Sequence, residues 1–321
     1  MELTKEQILT LSLLKGIGPK KILAIGATIK DRGITVDSFE KLYQVMSSMK
    51  DKKIQSITLD DLDTAYKGAM ETIRYSEVNK IGLIGYYDED YPKTLKKTIN
   101  EEGKLDPPLL LWYRGDISVL KMPAIAVIGT REATSEGIIG GEYLSGEFAR
   151  RGFNIVSGLA VGCDTCGHKG ALKVGGKTTA ILANGLDHDS IYPPENQELA
   201  EEIVENGGLL LSEYRIKSPV NKYNLVARDR LQAGLSLATL VVQTGVKGGT
   251  MHAANTTLLA NKDLFVMRFK NEATNNHEKC LGNAYLYEKG AKYINGNDDI
   301  DKISEEIKNK KVVVTDLFES L

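Results

Sequence analysis

Cys163, Cys166 and His168 fall between positions 163 and 168, inside the stretch IVSGLAVGCDTCGHKGALKVGG. Two sulfurs three residues apart beside an imidazole are the groups that hold zinc, but a closed zinc site needs a fourth ligand, and Cys280 is the one remaining sulfur. A Cys-x-x-Cys pair at a helix start can also have a lowered thiol pKa and carry out redox chemistry. Ser157, Gly158 and the glycines around the pair suggest a third chemistry, a turn whose backbone N–H groups receive an anion. The missing ligand and the glycine-rich setting weigh against metal and redox roles.

Other stretches have the same character. Gly129-Thr130-Arg131 combines a glycine that lets a phosphate approach the backbone with a forked cation. The spacing differs from the G-x-G-x-x-G dinucleotide fingerprint, which disfavours NAD. Lys247-Gly248-Gly249-Thr250 places two glycines, a lysine and a hydroxyl ahead of a helix, the composition of a phosphate cradle. Arg215, Lys217, Lys222, Arg228 and Arg230 form a basic cluster interrupted by Asp229, with Tyr214 and Tyr223 interleaved as stacking surfaces. Near the amino terminus, Gly16, Gly18 and Lys20 lie in KGIGPKK, a tight turn between two helices of the helix-hairpin-helix kind.

Positioning these loops falls to a regular pattern of elements. Residues 3–78 show apolar residues at helical spacing in EQILTLSLL, KKILAIGATI, DSFEKLYQVM and DLDTAYKGAMETIRYSEV. Residues 79–122 read as an irregular connecting segment. After Pro123, the runs AIAVIGT, NIVSGLA, TTAILAN, GLLLSEY, ATLVVQT and DLFVMRF alternate with helical stretches at about 135–151, 164–175, 195–206, 224–236 and 250–262. Near-continuous apolar strands separated by helices predict an α/β, doubly wound, mainly parallel Rossmann-like sheet, preceded by a small all-helical domain. Such sheets bind ligands beyond the carboxyl ends of their strands, where each of the later glycine loops falls. Asp164 reads as the N-cap of the helix after the second run. The expected division is 1–78 helical, 79–300 Rossmann-like with 79–122 as lead-in, and 301–321 a C-terminal tail, the last 25 residues reading as one helix and a short strand or tail.

The bulk composition narrows the choice of compartment. Of 321 residues, 42% are hydrophobic and 26% charged, which suits a folded protein. Three cysteines do not make a disulfide framework, and neither a signal peptide nor an apolar run of membrane length is visible. A cytoplasmic protein without membrane contact is expected. Lys and Arg number 41 against 43 Asp and Glu, a net charge of −2, so any nucleic-acid surface must be a local patch.

The order of these pieces resembles the DprA/Smf family of DNA-processing proteins. The resemblance runs through YYDEDYPKTL, PPLLLWYRGD, AVIGTREATSEG, NIVSGLAVGCDTCGHKGAL, GLDHDSIYPPEN, GLLLSEY, RDRLQAGLSLATLVVQT and CLGNAYLYEKGA. In that alignment Gly162-Cys163-Asp164 and Gly167-His168 stand where the family usually has glycine-isoleucine-aspartate and alanine-histidine. Cys163 then replaces an aliphatic residue, and the sulfurs are incidental. The resemblance implies a phosphate pocket at Gly129, Arg131, Ser157 and Gly158 with a basic helix start at Arg228 and Arg230. Two departures stand out: Arg228-Asp229-Arg230 replaces a usual arginine-asparagine-arginine, and Lys247-Gly248-Gly249-Thr250 replaces a usual serine-glycine-serine.

The expected function is a single-stranded DNA-binding recombination mediator that loads a RecA-like recombinase and works as a homodimer, without cofactor, metal or catalysis. Gly129, Arg131, Ser157, Gly158, Arg228, Arg230, Lys247, Gly248, Gly249 and Thr250 are its expected phosphate contacts, with Gly16, Gly18 and Lys20 as a secondary contact. Tyr192, Tyr214 and Tyr223 are candidates for base stacking. The alternatives on the same fold are a nucleotide sensor and a nucleotide or nucleoside N-glycosidase. For the latter, Ala253 occupies the place of the needed carboxylate, which leaves Asp164, Asp187 or Glu213 to serve instead.

Overall fold

A computed structural model describes residues 2–310. The chain begins with helices α1 (Lys5–Leu13), α2 (Pro19–Asp31), α3 (Phe39–Ser48), α4 (Lys52–Gln55) and α5 (Leu59–Val78). Their starts follow from local chemistry. Thr4 and Thr58 form capping boxes with Gln7 and Asp61, Ser38 caps α3, and Pro19 occupies the first turn of α2 after Gly18. Ile8, Leu11, Ile22, Ile25, Leu42, Met46 and Leu62 close a core among these helices. Leu9, Ala69 and Ile73 belong instead to a cluster with Leu83, Trp112 and Leu182, and so seat the helices on the sheet.

The remainder is one nine-stranded sheet with helices on both faces. In chain order it contains β1 (Gly82–Gly85), β2 (Leu110–Gly115), β3 (Ala124–Ile128), α6 (Ser135–Arg150), β4 (Asn154–Ser157), α7 (Cys163–Lys173) and β5 (Thr178–Leu182). It continues through α8 (Gln197–Glu205), β6 (Leu209–Ser212), α9 (Lys222–Leu235), β7 (Ala238–Val241), α10 (Thr250–Leu259) and β8 (Asp263–Met267). The helices α11 (Glu272–Asn275) and α12 (Leu281–Glu288), strand β9 (Lys292–Ile294) and helix α13 (Ile300–Asn309) complete it. The order across the sheet is β1-β2-β6-β5-β4-β3-β7-β8-β9, so it is wound outward in both directions from β3. Pairing is parallel from β6 to β9 and antiparallel at β1–β2 and β2–β6. Every residue of β3, β4, β5, β6 and β7 is buried, which explains why their sequences run apolar without alternation.

The six apolar runs and the five helical stretches after Pro123 are all present. The segment 79–122 differs from expectation: it supplies β1 and β2, which extend the sheet beyond β6. β1 is four residues bounded by glycines, and β2 lies between prolines and a Gly-Asp turn, so neither is long enough to stand out from its turn residues. β9, three residues long, escapes notice for the same reason. The helix expected near the carboxyl end is α13, whereas the short strand expected after it lies outside the described residues.

Candidate functional site

β3 and β7 are neighbours from which the chain winds away in opposite directions, and the loops leaving them part to form a crevice. A cavity of about 470 Å³ occupies it. Gly129, Thr130 and Arg131 line it from the loop after β3, and Lys247, Gly248, Gly249 and Thr250 from the loop after β7. α9 contributes Lys222, Arg228, Asp229 and Gln232, and the loop after β4 contributes Ala160 and Asp164. Seven of the residues singled out from the sequence, Gly129, Arg131, Arg228, Lys247, Gly248, Gly249 and Thr250, therefore meet around one space.

Two amides that sequence reasoning overlooked brace these loops. Gln243 accepts the Thr130 N–H on its backbone oxygen at 2.7 Å and the Thr134 N–H on Oε1 at 2.8 Å, while its Nε2 donates to Thr134 Oγ1 at 2.9 Å. Asn283 accepts the Thr244 N–H at 3.0 Å and donates to Val242 O and Met267 O. Both follow or face strand ends, but an asparagine or glutamine in sequence carries no mark of the backbone groups that it will satisfy. Gly129 is required by close approach: a Cβ there would stand 2.5 Å from Cys163 Sγ and 2.7 Å from Gln243 O.

That contact gives the cysteines their place. Cys163 and Cys166 are both buried, the Cys166 thiol donates to Cys163 O at 2.9 Å, and burial pushes the Cys163 thiol up to about 12 and the Cys166 thiol higher still. Both sulfurs are packed into the core, Cys163 against Gly129 and Cys166 against Gly141. His168 is also enclosed. Desolvation, with Arg228 nearby, lowers it to about 3, and its Nδ1 lies 2.6 Å from Thr178 Oγ1, whose hydroxyl donates to Ile155 O. The imidazole is thus neutral, with its proton on Nδ1.

Ser157 and Gly158 stand behind the cavity and do not line it. The Ser157 hydroxyl is buried and donates to Val127 O at 2.6 Å, and the Gly158 N–H donates to Asp164 Oδ2 at 3.1 Å. Asp164 is not the N-cap of α7, a position held by Gly162; it reaches back to take the Gly158 and Ala160 N–H groups. The Ser157 hydroxyl and the Gly158 N–H, expected to meet a phosphate, are therefore engaged within the protein. A Cβ at Gly158 would strike the Arg228 guanidinium, which donates to Gly158 O at 2.7 Å and also to Ile181 O. Arg228 is 5% exposed and directs its charge inward, to Asp229 Oδ1 at 3.2 Å and the field of Asp164. Desolvation raises the Asp164 carboxyl against the pull of Arg228, and raises Asp229 to about 6. The floor thus sets two carboxylates around one guanidinium.

The rim is of opposite sign. Arg131 and Lys247 are exposed and make no ion pair among the described residues; Lys222 and Lys279 also line the cavity, Lys279 pairing with Glu132. α10 starts at Thr250 without a side-chain cap, and the N–H groups of Gly248, Gly249 and Thr250 have no partner among the described residues. Uncapped helix N–H groups beside free cations make a seat for anions.

Arg230 does not join this rim. Two residues apart on a helix, it and Arg228 point to different sides. Arg230 makes a bidentate pair with Glu213 at 2.7 and 2.8 Å and a further one with Asp106 at 2.7 Å. It lines a second groove of about 450 Å³ with Tyr214, Arg215, Gly18 and Pro19. The basic cluster read from the sequence is therefore divided: Lys222 and Arg228 serve the cavity, Arg215 and Arg230 the groove, and Lys217 lies over the Tyr75 ring. The turn between α1 and α2, with Gly16 at φ +82° and Gly16, Gly18 and Lys20 exposed, opens beside that groove and away from the crevice. Among the tyrosines, Tyr223 is 74% exposed next to Lys222, Tyr214 is half-buried in the groove, and none lines the cavity. Of the carboxylates considered for catalysis, only Asp164 reaches the cavity; Glu213 is held by Arg230, and Asp187 accepts the Lys217 N–H.

Comparison with known proteins agrees with this fold. The family model described as DNA recombination-mediator protein A matches residues 82–308. Protein Smf from Synechocystis sp. is 38% identical over 182 residues, 56% of this chain but only 44% of the Synechocystis protein's length. The X-ray structure of DNA processing protein A from Streptococcus pneumoniae superposes with a TM-score of 0.71 at 25% identity, covering 92% of this chain and 96% of that one. A structure of the Helicobacter pylori protein of the same name, described for its single-stranded DNA binding mode, aligns at 30% identity and a TM-score of 0.58 over 71% of this chain and 96% of that one. No helix among the described residues is long and apolar enough to cross a membrane. With the doubly wound sheet and the switch-point cavity, these matches make the chain a member of the DNA recombination-mediator protein A family.

Proposed function

We propose that this chain binds single-stranded DNA through the crevice between β3 and β7 and acts there as a recombination mediator, a binder and not a catalyst. The observation that carries the reading is the rim: Arg131 and Lys247 without ion pairs among the described residues, beside N–H groups at the start of α10 that no described residue fills. A single strand presents phosphates to such a rim without regard to sequence, and its affinity falls with salt as counterions are released. The single-stranded DNA named for the Helicobacter pylori relative supports the choice of ligand. We further infer a RecA-like recombinase as the protein to which the strand is delivered, a homodimer as the working form and the cytoplasm as the compartment. The helical residues 1–78 are taken as a unit distinct from the sheet-bearing residues 79–300.

The test is fluorescence anisotropy of labelled oligo-dT across a salt series. Arg131→Ala and Lys247→Ala should each weaken binding and lower the slope of log affinity against log salt by about 0.7, the value for one phosphate contact on a single strand. Ser157→Ala should leave both unchanged, because its hydroxyl faces Val127 O. Unchanged affinity and slope in Arg131→Ala and Lys247→Ala together would refute the assignment.

A further inference from the structure

Asp229 brings a negative charge to the place where the crevice receives an anion. Gly249 is the N-cap residue of α10, and Asp229 Oδ2 lies 3.7 Å from where a Cβ on Gly249 would stand. The entry to that helix is therefore shared by N–H groups that no described residue fills and by a carboxylate oxygen. The two oxygens of Asp229 are not equivalent. Oδ1 takes the Arg228 Nε–H at 3.2 Å and a long contact from Gln232 Nε2 at 3.4 Å, whereas Oδ2 accepts no hydrogen bond from the described residues. Asp164, the other acid of the floor, has the Gly158 and Ala160 N–H groups on its Oδ2.

Several elements set the charge of Asp229. Desolvation is the largest influence and raises the carboxyl to about 6; Arg228 on the same helix and His252 on α10 pull it down, and Asp164 on α7 pushes it up. His252 lies against Glu101 at 2.5 Å. Arg131, Glu132, Lys222, Lys247 and Lys279 are the other charged residues that line the cavity among those described. A phosphate seated at the start of α10 meets Asp229 as a like charge, and two anions close together in a partly desolvated site disfavour each other's ionised form. A phosphodiester keeps its single charge, so the carboxyl is the group that changes. A proton taken from solvent removes the repulsion and turns Oδ2 from an acceptor into a donor that can give its O–H to a phosphate oxygen.

We propose that Asp229 is a proton-linked gate on the phosphate seat: ionised, it opposes the strand, and protonated, it donates to a phosphate oxygen, so that strand binding is coupled to proton uptake. The proposal rests on the nucleic-acid reading above. Its sign is fixed, because binding raises the Asp229 pKa further and affinity must then fall as pH rises.

The experiment measures labelled oligo-dT without a terminal phosphate, a ligand with no titrating group in the range used, by anisotropy at constant ionic strength from about pH 5 to about pH 8. The wild type should bind about tenfold tighter at the acid end, the factor expected when binding moves one pKa by about one. Asp229→Asn is neutral throughout and keeps an N–H to offer. It should lose the pH dependence and, at the alkaline end, bind about tenfold tighter than the wild type. His252→Gln should retain the dependence, which separates Asp229 from the imidazole on α10. Calorimetry of the wild type near pH 6.5, in two buffers of different ionisation enthalpy, reads the same linkage without a variant and should show net proton uptake. A wild-type affinity flat in pH, binding without proton uptake, or a pH dependence that survives in Asp229→Asn would each overturn the proposal. Failure of the wild type to bind oligo-dT at any pH would instead defeat the nucleic-acid reading, and this one with it.

Discussion

Arg228 holds together the floor of the cavity. Its guanidinium satisfies the carbonyls of Gly158 and Ile181 and faces the carboxyls of Asp164 and Asp229. Arg228→Met should therefore cost about 3 to 5 kcal/mol in chemical denaturation, the penalty for stripping a buried pair of one partner. Asp229→Asn should do the reverse. Its folded pKa of about 6 lies above the ordinary 3.8, so the folded state binds the proton more tightly and loses stability relative to the unfolded chain as pH rises from 3.8 through 6. Removing the charge should thus raise stability by about 2 to 3 kcal/mol at neutral pH, with the gain vanishing below about pH 4, as read from denaturation midpoints across pH. The sequence places Arg228, Asp229 and Arg230 on one helix, and their types alone suggest a shared basic surface. Direction is what it conceals: one turns into the floor, one toward the cavity and one into another groove, and that depends on which backbone carbonyls lie opposite.

α9 bears six of the residues around the cavity, and its carboxyl end is fixed by a single side chain. Lys262, half-buried after α10, donates to Ala233 O, Gly234 O and Ser236 O at 2.7 to 2.9 Å, filling carbonyls that a helix end leaves open. Lys262→Met should lower the thermal midpoint, at a cost of about 2 to 4 kcal/mol, while leaving oligonucleotide affinity intact below the transition. At this level the sequence was most informative. Buried parallel strands must be apolar throughout, so β3 to β8 announce themselves, and their loops fall at the carboxyl edge by rule. β1, β2 and β9 do not, because strands of three to six residues beside glycine and proline carry too little pattern to be separated from turns.

Charge is sorted across the molecule. A net charge of −2 coexists with a cationic rim because the acidic residues near the cavity lie in its floor or, like Glu132, are paired with a lysine. The turn between α1 and α2 sits beside the second groove, so a strand held at the crevice would have to extend past Arg215 to meet it. Lys15→Ala with Lys20→Ala should leave a short oligo-dT unaffected and reduce the salt slope only for a long one, by up to about 0.7 per lysine, measured by anisotropy. Removing residues 2–78 is a poorer probe of that contact. Leu9, Ala69 and Ile73 pack with Leu83, Trp112 and Leu182, so the truncated chain would expose apolar surface and should lose solubility.

The most direct test is photochemical cross-linking of a halogenated oligo-dT to the full chain, followed by peptide mapping. Cross-links should fall in the loops after β3 and β7, around residues 129–132 and 245–253, and on the first two turns of α9. Cross-links confined to the turn at 14–20 and the groove around Tyr214, with none at the crevice, would contradict the account.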